Sequence, residues 1–240
     1  QKKLSLGLCV IDKTFLFGVQ KIWDVQHLLI PRIQWPLLIY EVSMSLGTRL
    51  EQNVSVYIRK WLNVNKSISS LAFYSKSSPC PLPIKSLTSV LKAAKISGHL
   101  LIRDSKDPVV STCSSTLKSG AWKAEKAVNI AEKELKHNLL RGHTQHGRTG
   151  LGFLRVPEPV SKDYTYDYRK QVSNCYRDID DSYAMSKAVQ LQVQGQWTRW
   201  SNYIQNDFSW KSLLATAPNL LSFCLSATYD VLPSPRNLSR

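Results

Sequence analysis

The stretch TRLEQNVSVYIRKWL, Thr48–Leu62, decides the fold class. Leu50, Val54, Ile58, Trp61 and Leu62 recur at intervals of three and four, so they share one face of a helix. Thr48 followed three positions later by Glu51 has the form of a capping box, which predicts a helix start at residue 48. Arg59 and Lys60 lie near the opposite edge of that face. The same periodicity returns further along. Residues 84–102 align Ile84, Leu87, Val90, Leu91, Ala94 and Leu101. Residues 120–140 point Trp122, Val128, Ala131, Leu135 and Leu139 inward, with Lys123, Lys126, Glu132, Lys133 and Lys136 outward. A helix carrying Met185, Val189 and Val193 is predicted over 182–205, and a last one over 209–228 with a break near Pro218.

Between these segments the punctuation is proline and glycine. Residues 19–30 have helical spacing, through Ile22, Trp23, Gln26 and Leu29–Ile30, and Pro31 is expected to end it. Pro31 and Pro36 bias Ile30 and Trp35 away from helix, so the following residues to Val42 read as extended or loosely turned. Ser75–Pro83 is a loop by composition, and 103–120 is a polar connection. Four glycines within Gly142–Gly152 predict a loop there. With no internal repeat and no convincing strand series, the fold class is mostly α without a sheet.

Composition bounds the function. A chain of 240 residues with 43% hydrophobic content, seven Trp and ten Tyr can build a core, as one large domain or two small ones. Lys and Arg number 32 against 17 Asp and Glu, a net +15. Such an excess favours polyanionic partners, nucleic acid first and an anionic membrane surface second, against a basic protein with neither. Residues 1–100 carry 13 basic and 4 acidic side chains, 101–160 carry 10 and 6, and 161–240 carry 9 and 7. The electrostatic footprint is therefore expected in the first half. The five scattered cysteines form no C-x-x-C pair and read as buried thiols in a reducing compartment. The apolar stretch Val25–Val42 is interrupted by Pro31, Arg32, Gln34, Pro36 and Glu41, and no signal-peptide pattern opens the chain. A soluble segment of something larger, with no membrane role, is the expectation.

Four constellations invite a chemical claim. Gly142 to Thr149 has the spacing of a phosphate-binding loop, but Arg148 stands where Lys belongs, a charged helix precedes it, and Gly150 and Gly152 follow where a helix should start. His137, His143 and His146 lack a fourth ligand at comparable spacing, so no metal is expected. Asp178, Asp180 and Asp181 suggest paired magnesium-binding aspartates. Their surroundings, Asn174, Arg177, Ser182 and Tyr183, lack strand character, and acid clustering at a helix N-terminus is the preferred reading. Aromatic and basic residues interleave at Arg59–Trp61, Trp122–Lys123 and Trp197–Trp200. The tryptophans are read as core and their neighbouring cations as contacts.

Three motifs near the C-terminus carry a resemblance: GQWTRW (Gly195–Trp200), FSWKSLL (Phe208–Leu214) and ATYDVLPSPRNL (Ala227–Leu238). In this order they are similar to the region after the polymerase domain in LINE-type (non-long-terminal-repeat) retrotransposon polyproteins, which read Q-G-x-W-T-x-W and then Y-D-x-L-P-S-P-x-N-L. HLLIPRIQWPLLIYEV (His27–Val42), YIRKWLNV (Tyr57–Val64), LAFYSKSSPCPLPIKSL (Leu71–Leu87), LIRDSKDPVV (Leu101–Val110), SGAWKAEKAVNIAEKELKH (Ser119–His137) and HGRTGLGF (His146–Phe153) extend the likeness over nearly the whole chain. Ser119–Ala121 departs from the family's Gly-Arg-Lys, and Ser239–Arg240 from its His-x-Trp.

What the resemblance implies is a helical thumb bundle plus linker helices. A thumb-like segment would occupy 1–70, a linker region 71–160 and a C-terminal helical region 161–240. The palm with its catalytic aspartates would lie before Gln1, and the zinc knuckle and endonuclease after Arg240. The chain is accordingly expected to have no enzymatic activity, no cofactor, no metal and no small-molecule ligand. RNA or DNA template–primer would be held through phosphate contacts by Arg32, Arg59, Lys60 and Lys66, with the palm and endonuclease domains as further partners, in an intracellular and nuclear setting. The alternative is a domesticated helical protein-interaction module without a nucleic-acid role.

Overall fold

In the computed structural model the described residues are 2–40, 42–76, 78, 80–113, 122–141, 144–147, 150–153, 166–191, 193–199, 208–232, 234 and 237. They are mostly helical. Helices α1 (Lys2–Asp12), α2 (Gly18–Asp24), α3 (Ile30–Ile39), α4 (Met44–Trp61), α5 (Leu71–Tyr74), α6 (Leu87–Arg103), α7 (Pro108–Cys113), α8 (Ala124–Arg141), α9 (Tyr166–Gln190), α10 (Trp210–Ala215) and α11 (Pro218–Thr228) follow in order. A π-helical turn, Val25–Leu29, joins α2 to α3, and a 3₁₀ turn covers Gln196–Arg199. The glycine-rich segment expected to be loop contains a small hairpin, in which β1 (Thr144–Gly147) pairs antiparallel with β2 (Gly150–Phe153). Gly142, His143, Arg148 and Thr149 of the phosphate-loop reading lie outside the described residues. No described helix is long and apolar enough to cross a membrane.

Contacts divide the chain into two compact units, Gln1–Leu91 with Asp181–Arg240, and Lys92–Asp180. The first unit is organised by α4. Leu50, Val54, Ile58 and Leu62 are buried as the periodicity predicts, and each buried aliphatic side chain of this kind contributes about 1.5–3 kcal/mol. They share a core with Leu4 and Leu8 of α1, Ile22 and Val25, Phe73 of α5, Leu87 and Leu91, and Leu221, Leu225 and Tyr229. Gly18 is required by close approach, because a Cβ there would fall on the carbonyl oxygen of Trp61. Helix α1 was not signalled, since only Leu4 and Leu8 of its eleven residues are buried.

The capping-box expectation fails. Helix α4 begins at Met44, and the Thr48 hydroxyl donates to the Met44 carbonyl at 3.1 Å from inside the helix. Glu51 instead reaches the start of α6, where its carboxylate accepts from the Thr88 N–H at 2.9 Å, from Thr88 Oγ1 at 2.8 Å and from the Ser86 hydroxyl. A carboxylate at that end satisfies orphan donors and complements the helix dipole.

The extended reading after Pro31 is also corrected, because α3 contains both prolines. Pro31 sits in its first turn, where a missing N–H costs little. The π turn immediately before it, closed by the Ile30 N–H to the Val25 carbonyl, relieves the clash a proline ring otherwise makes with the carbonyl four residues back.

The second unit centres on Ile96 and Leu100 of α6, Ala127, Val128 and Ala131 of α8, and Val172 of α9. Trp122 and Leu135 pack against this cluster as expected, whereas Leu101 points to solvent and the side chain of Leu139 is outside the described set. Glu132 is not a solvated charge. It accepts from Arg103 Nη1 at 2.9 Å and from the Tyr168 hydroxyl at 2.8 Å, while Arg103 Nε also donates to Asp104 at 2.8 Å. Trp122 Nε1 donates to the Tyr176 hydroxyl at 2.9 Å. Helix α9 starts far earlier than residue 182, because Tyr168, Val172, Cys175 and Tyr176 form a helical stripe whose tyrosines read as polar. It ends at Gln190 because the chain folds back at Gly195, where a Cβ would overlap the carbonyl oxygens of Ala188 and Leu191. Of Met185, Val189 and Val193, Met185 packs on the core and Val189 is exposed.

Candidate nucleic-acid interface

Of the four cations expected to meet phosphate, two are engaged within the protein. Arg59 is half-buried. Its Nε and Nη2 donate to the Ile68 carbonyl at 3.0 and 2.9 Å, and its guanidinium carbon lies 5.5 Å from the centre of the buried Phe73 ring. Burial pushes its pKa down from the ordinary arginine value. The residue read as an outward contact thus closes the turn after α4. Lys60 donates to Asp12 Oδ2 at 2.6 Å, and Trp61 Nε1 donates to Asp12 Oδ1 at 2.8 Å, so successive residues of α4 clamp the end of α1. These two hydrogen bonds, that of Lys60 first, hold the Asp12 carboxyl below the usual carboxylate range, and Asp12 holds the Lys60 ammonium above its ordinary value. The Lys60 end remains 64% exposed, which leaves its charge open to water and to an anion.

The side chains of Arg32 on α3 and Lys66 in the turn after α4 are exposed and make no ion pair or hydrogen bond among the described residues. Lys2, Lys3, Lys13, Arg49, Lys76 and Lys85 of the same unit are in the same situation. Sequence reasoning passed over them because they stand beside no aromatic motif. Asp12 pairs with Lys60, and Glu51 accepts from Ser86 and Thr88.

Trp197, Leu213 and Tyr229 of the C-terminal motifs belong to the core. Trp197 is buried with its ring edge-on to Tyr229, centroids 6.1 Å apart, and the Tyr229 hydroxyl lies 2.8 Å from Ser78 Oγ. Burial pushes the Tyr229 phenol up to about 12. Asn237 Nδ2 donates to the carbonyls of Asp230 and Leu232, both at 2.9 Å, closing the turn in which Asp230 takes φ 48°. Asp residues tolerate that left-handed backbone. Trp200 lies outside the described residues.

The aspartates at 178–181 are not at a helix N-terminus, as expected, but inside α9. Asp180 accepts from Lys92 Nζ at 2.6 Å, and Asp181 Oδ1 accepts from the Lys76 N–H at 3.4 Å. The cysteines are all free, but Cys9 and Cys113 are exposed rather than buried. Burial raises the thiols of Cys80 and Cys175. Comparison of the sequence with protein-family models and with curated proteins returns no match.

One further group was not anticipated. His27, in the middle of the π turn, lies between Trp23, at 4.7 Å between ring centroids, and Trp210 of α10, at 5.5 Å. Trp23 and His27 are exposed, while Trp210 is half-buried against the core.

Proposed function

We propose that this chain is a non-catalytic segment of a LINE-type retrotransposon reverse transcriptase, from the thumb and linker region, that holds template–primer nucleic acid by its phosphates. The observation that carries the reading is the charge distribution of the first unit. It has 16 Lys and Arg against 7 Asp and Glu, and the exposed side chains of Arg32 and Lys66 make no ion pair among the described residues. Motif resemblance along the chain supports the parentage. The contacts then fall to Arg32, Lys66 and the other exposed cations, with Lys60 contributing when it leaves Asp12, and Arg59 acting only to hold the turn.

The test is a binding titration on duplex and single-stranded nucleic acid across salt concentrations. Replacing Arg32 and Lys66 together by Ala is expected to weaken binding on every sequence alike and to flatten the plot of log affinity against log salt by about 1–2. Binding that ignores salt sinks the proposal. Primer-extension assays with magnesium or manganese are expected to show no incorporation; incorporation abolished by Asp180→Ala would sink the non-catalytic part. One observation favours the second reading, a domesticated protein-interaction module. Leu28, Trp35 and Ile39 are 55%, 69% and 60% exposed along the π turn and α3, a large apolar surface for water to cover.

A further inference from the structure

The Trp23, His27 and Trp210 group calls for an explanation, because two of its three rings lie open to water. The rings are brought together from opposite ends of the chain. The π turn carries His27 in its centre, four residues after Trp23. Trp210 opens α10, a short helix capped by Ser209, whose side chain accepts from the Ser212 N–H at 3.2 Å. Trp210 is anchored against the core, so His27 is held between two indoles while itself remaining exposed. Lys85 is tied to the π turn by its backbone N–H, which donates to Gln26 Oε1 at 2.9 Å. Lys211 follows Trp210 directly, and Arg32 lies just beyond the π turn. The side chains of all three cations are exposed and make no hydrogen bond or ion pair among the described residues. Asp24 is the single acid in α2, the π turn and α3, and α10 has none.

We infer that this group is a stacking platform for the bases of a single-stranded nucleic-acid segment, with Lys85, Lys211 and Arg32 meeting its phosphates. The inference rests on the nucleic-acid reading above and deepens it by naming the strand state and the site. Aromatic rings next to cations give sequence-tolerant binding, since every base has a π face and every linkage a charge. A duplex keeps its bases stacked on one another, so an unpaired segment is the form that can use exposed rings. A protein partner for the same rings would have to be strongly acidic to match three cations and one acid.

The experiment measures fluorescence anisotropy of the full chain with a mixed-sequence oligonucleotide of about 12 nucleotides and an abasic oligonucleotide of equal length and charge. The base-bearing strand is expected to bind at least about fivefold more tightly than the abasic one. Trp23→Leu with His27→Gln is expected to remove that preference while leaving abasic affinity and its salt dependence unchanged. His27→Gln alone, a milder change at an exposed side chain, should already reduce it, and thermal melts report whether either variant is folded. Lys85→Ala with Lys211→Ala should lower affinity for both strands alike. Equal binding of the two strands by the unaltered chain, or a preference that survives His27→Gln and the double aromatic variant, overturns the platform while leaving the phosphate-contact reading standing. Failure to bind either strand overturns both. Self-association in sedimentation that Trp23→Leu abolishes, with no base preference, would assign the surface to a second copy of the chain and overturn the inference.

Discussion

Replacing Arg59 by Ala separates a structural cation from a ligand-binding one. The side chain gives two N–H donors to one carbonyl, that of the buried Ile68, and lies over the ring of the fully buried Phe73. Hydrogen bonds involving a charged group contribute about 1.5–3 kcal/mol, and the cation–ring contact adds about 0.5–1 kcal/mol. Truncation also strips the Ile68 carbonyl of this partner. Together these give an expected loss of about 2–4 kcal/mol, readable as a fall of about 1 M or more in the urea midpoint. Arg59→Lys keeps the charge but loses the planar fork, so it should recover less than half of the loss. Nucleic-acid affinity measured on the folded fraction, and its salt slope, should stay as they were. A variant of unchanged stability that binds more weakly would refute the reasoning and return Arg59 to the phosphate-contacting set.

Three other outcomes are expected. Gly195→Ala should destabilise the chain by about 2–3 kcal/mol in denaturant titration, because its Cβ would meet the carbonyl oxygens of Ala188 and Leu191 rather than yielding side chains. Glu51→Ala should cost about 2–3 kcal/mol in the same assay by leaving Ser86, the Thr88 N–H and the Thr88 hydroxyl without their shared acceptor. The Asp12 carboxyl is held below its ordinary value of 3.8, so its stabilising contribution is present above that pH and is lost as pH falls through the lower folded value. Melting temperatures from pH 7 to pH 3 should therefore drop in the acid range, and Asp12→Asn should lower the neutral value and flatten the acid drop.

Apolar spacing determined most of the helical content. Leu50, Val54, Ile58 and Leu62 had to face a core, because a helix presents those positions on one side and water rejects them. The break at Pro218 and the loop nature of Ser75–Pro83 were equally legible, since proline limits the local backbone whatever surrounds it. Boundaries were less so. Helix α9 begins at Tyr166 because tyrosines supply its packed face through hydroxyls that find partners in Glu132 of α8 and in Trp122 just before it, and that is visible only when the helices are together. Helix α3 accepts Pro31 because the π turn opens the backbone ahead of it, and it carries Pro36 in its interior.

The distribution of cations among roles was settled only in three dimensions. Arg59, Lys66 and Arg32 are alike as letters, yet one is bound to a buried carbonyl and the other two are exposed, because the turn after α4 brings Ile68 and Phe73 under Arg59. The approach of Trp210 to His27 across the sequence is a property of packing alone. Composition set how much positive charge the chain carries and periodicity marked where α4, α6 and α8 form; long-range contact decided which charges and rings remained for a partner.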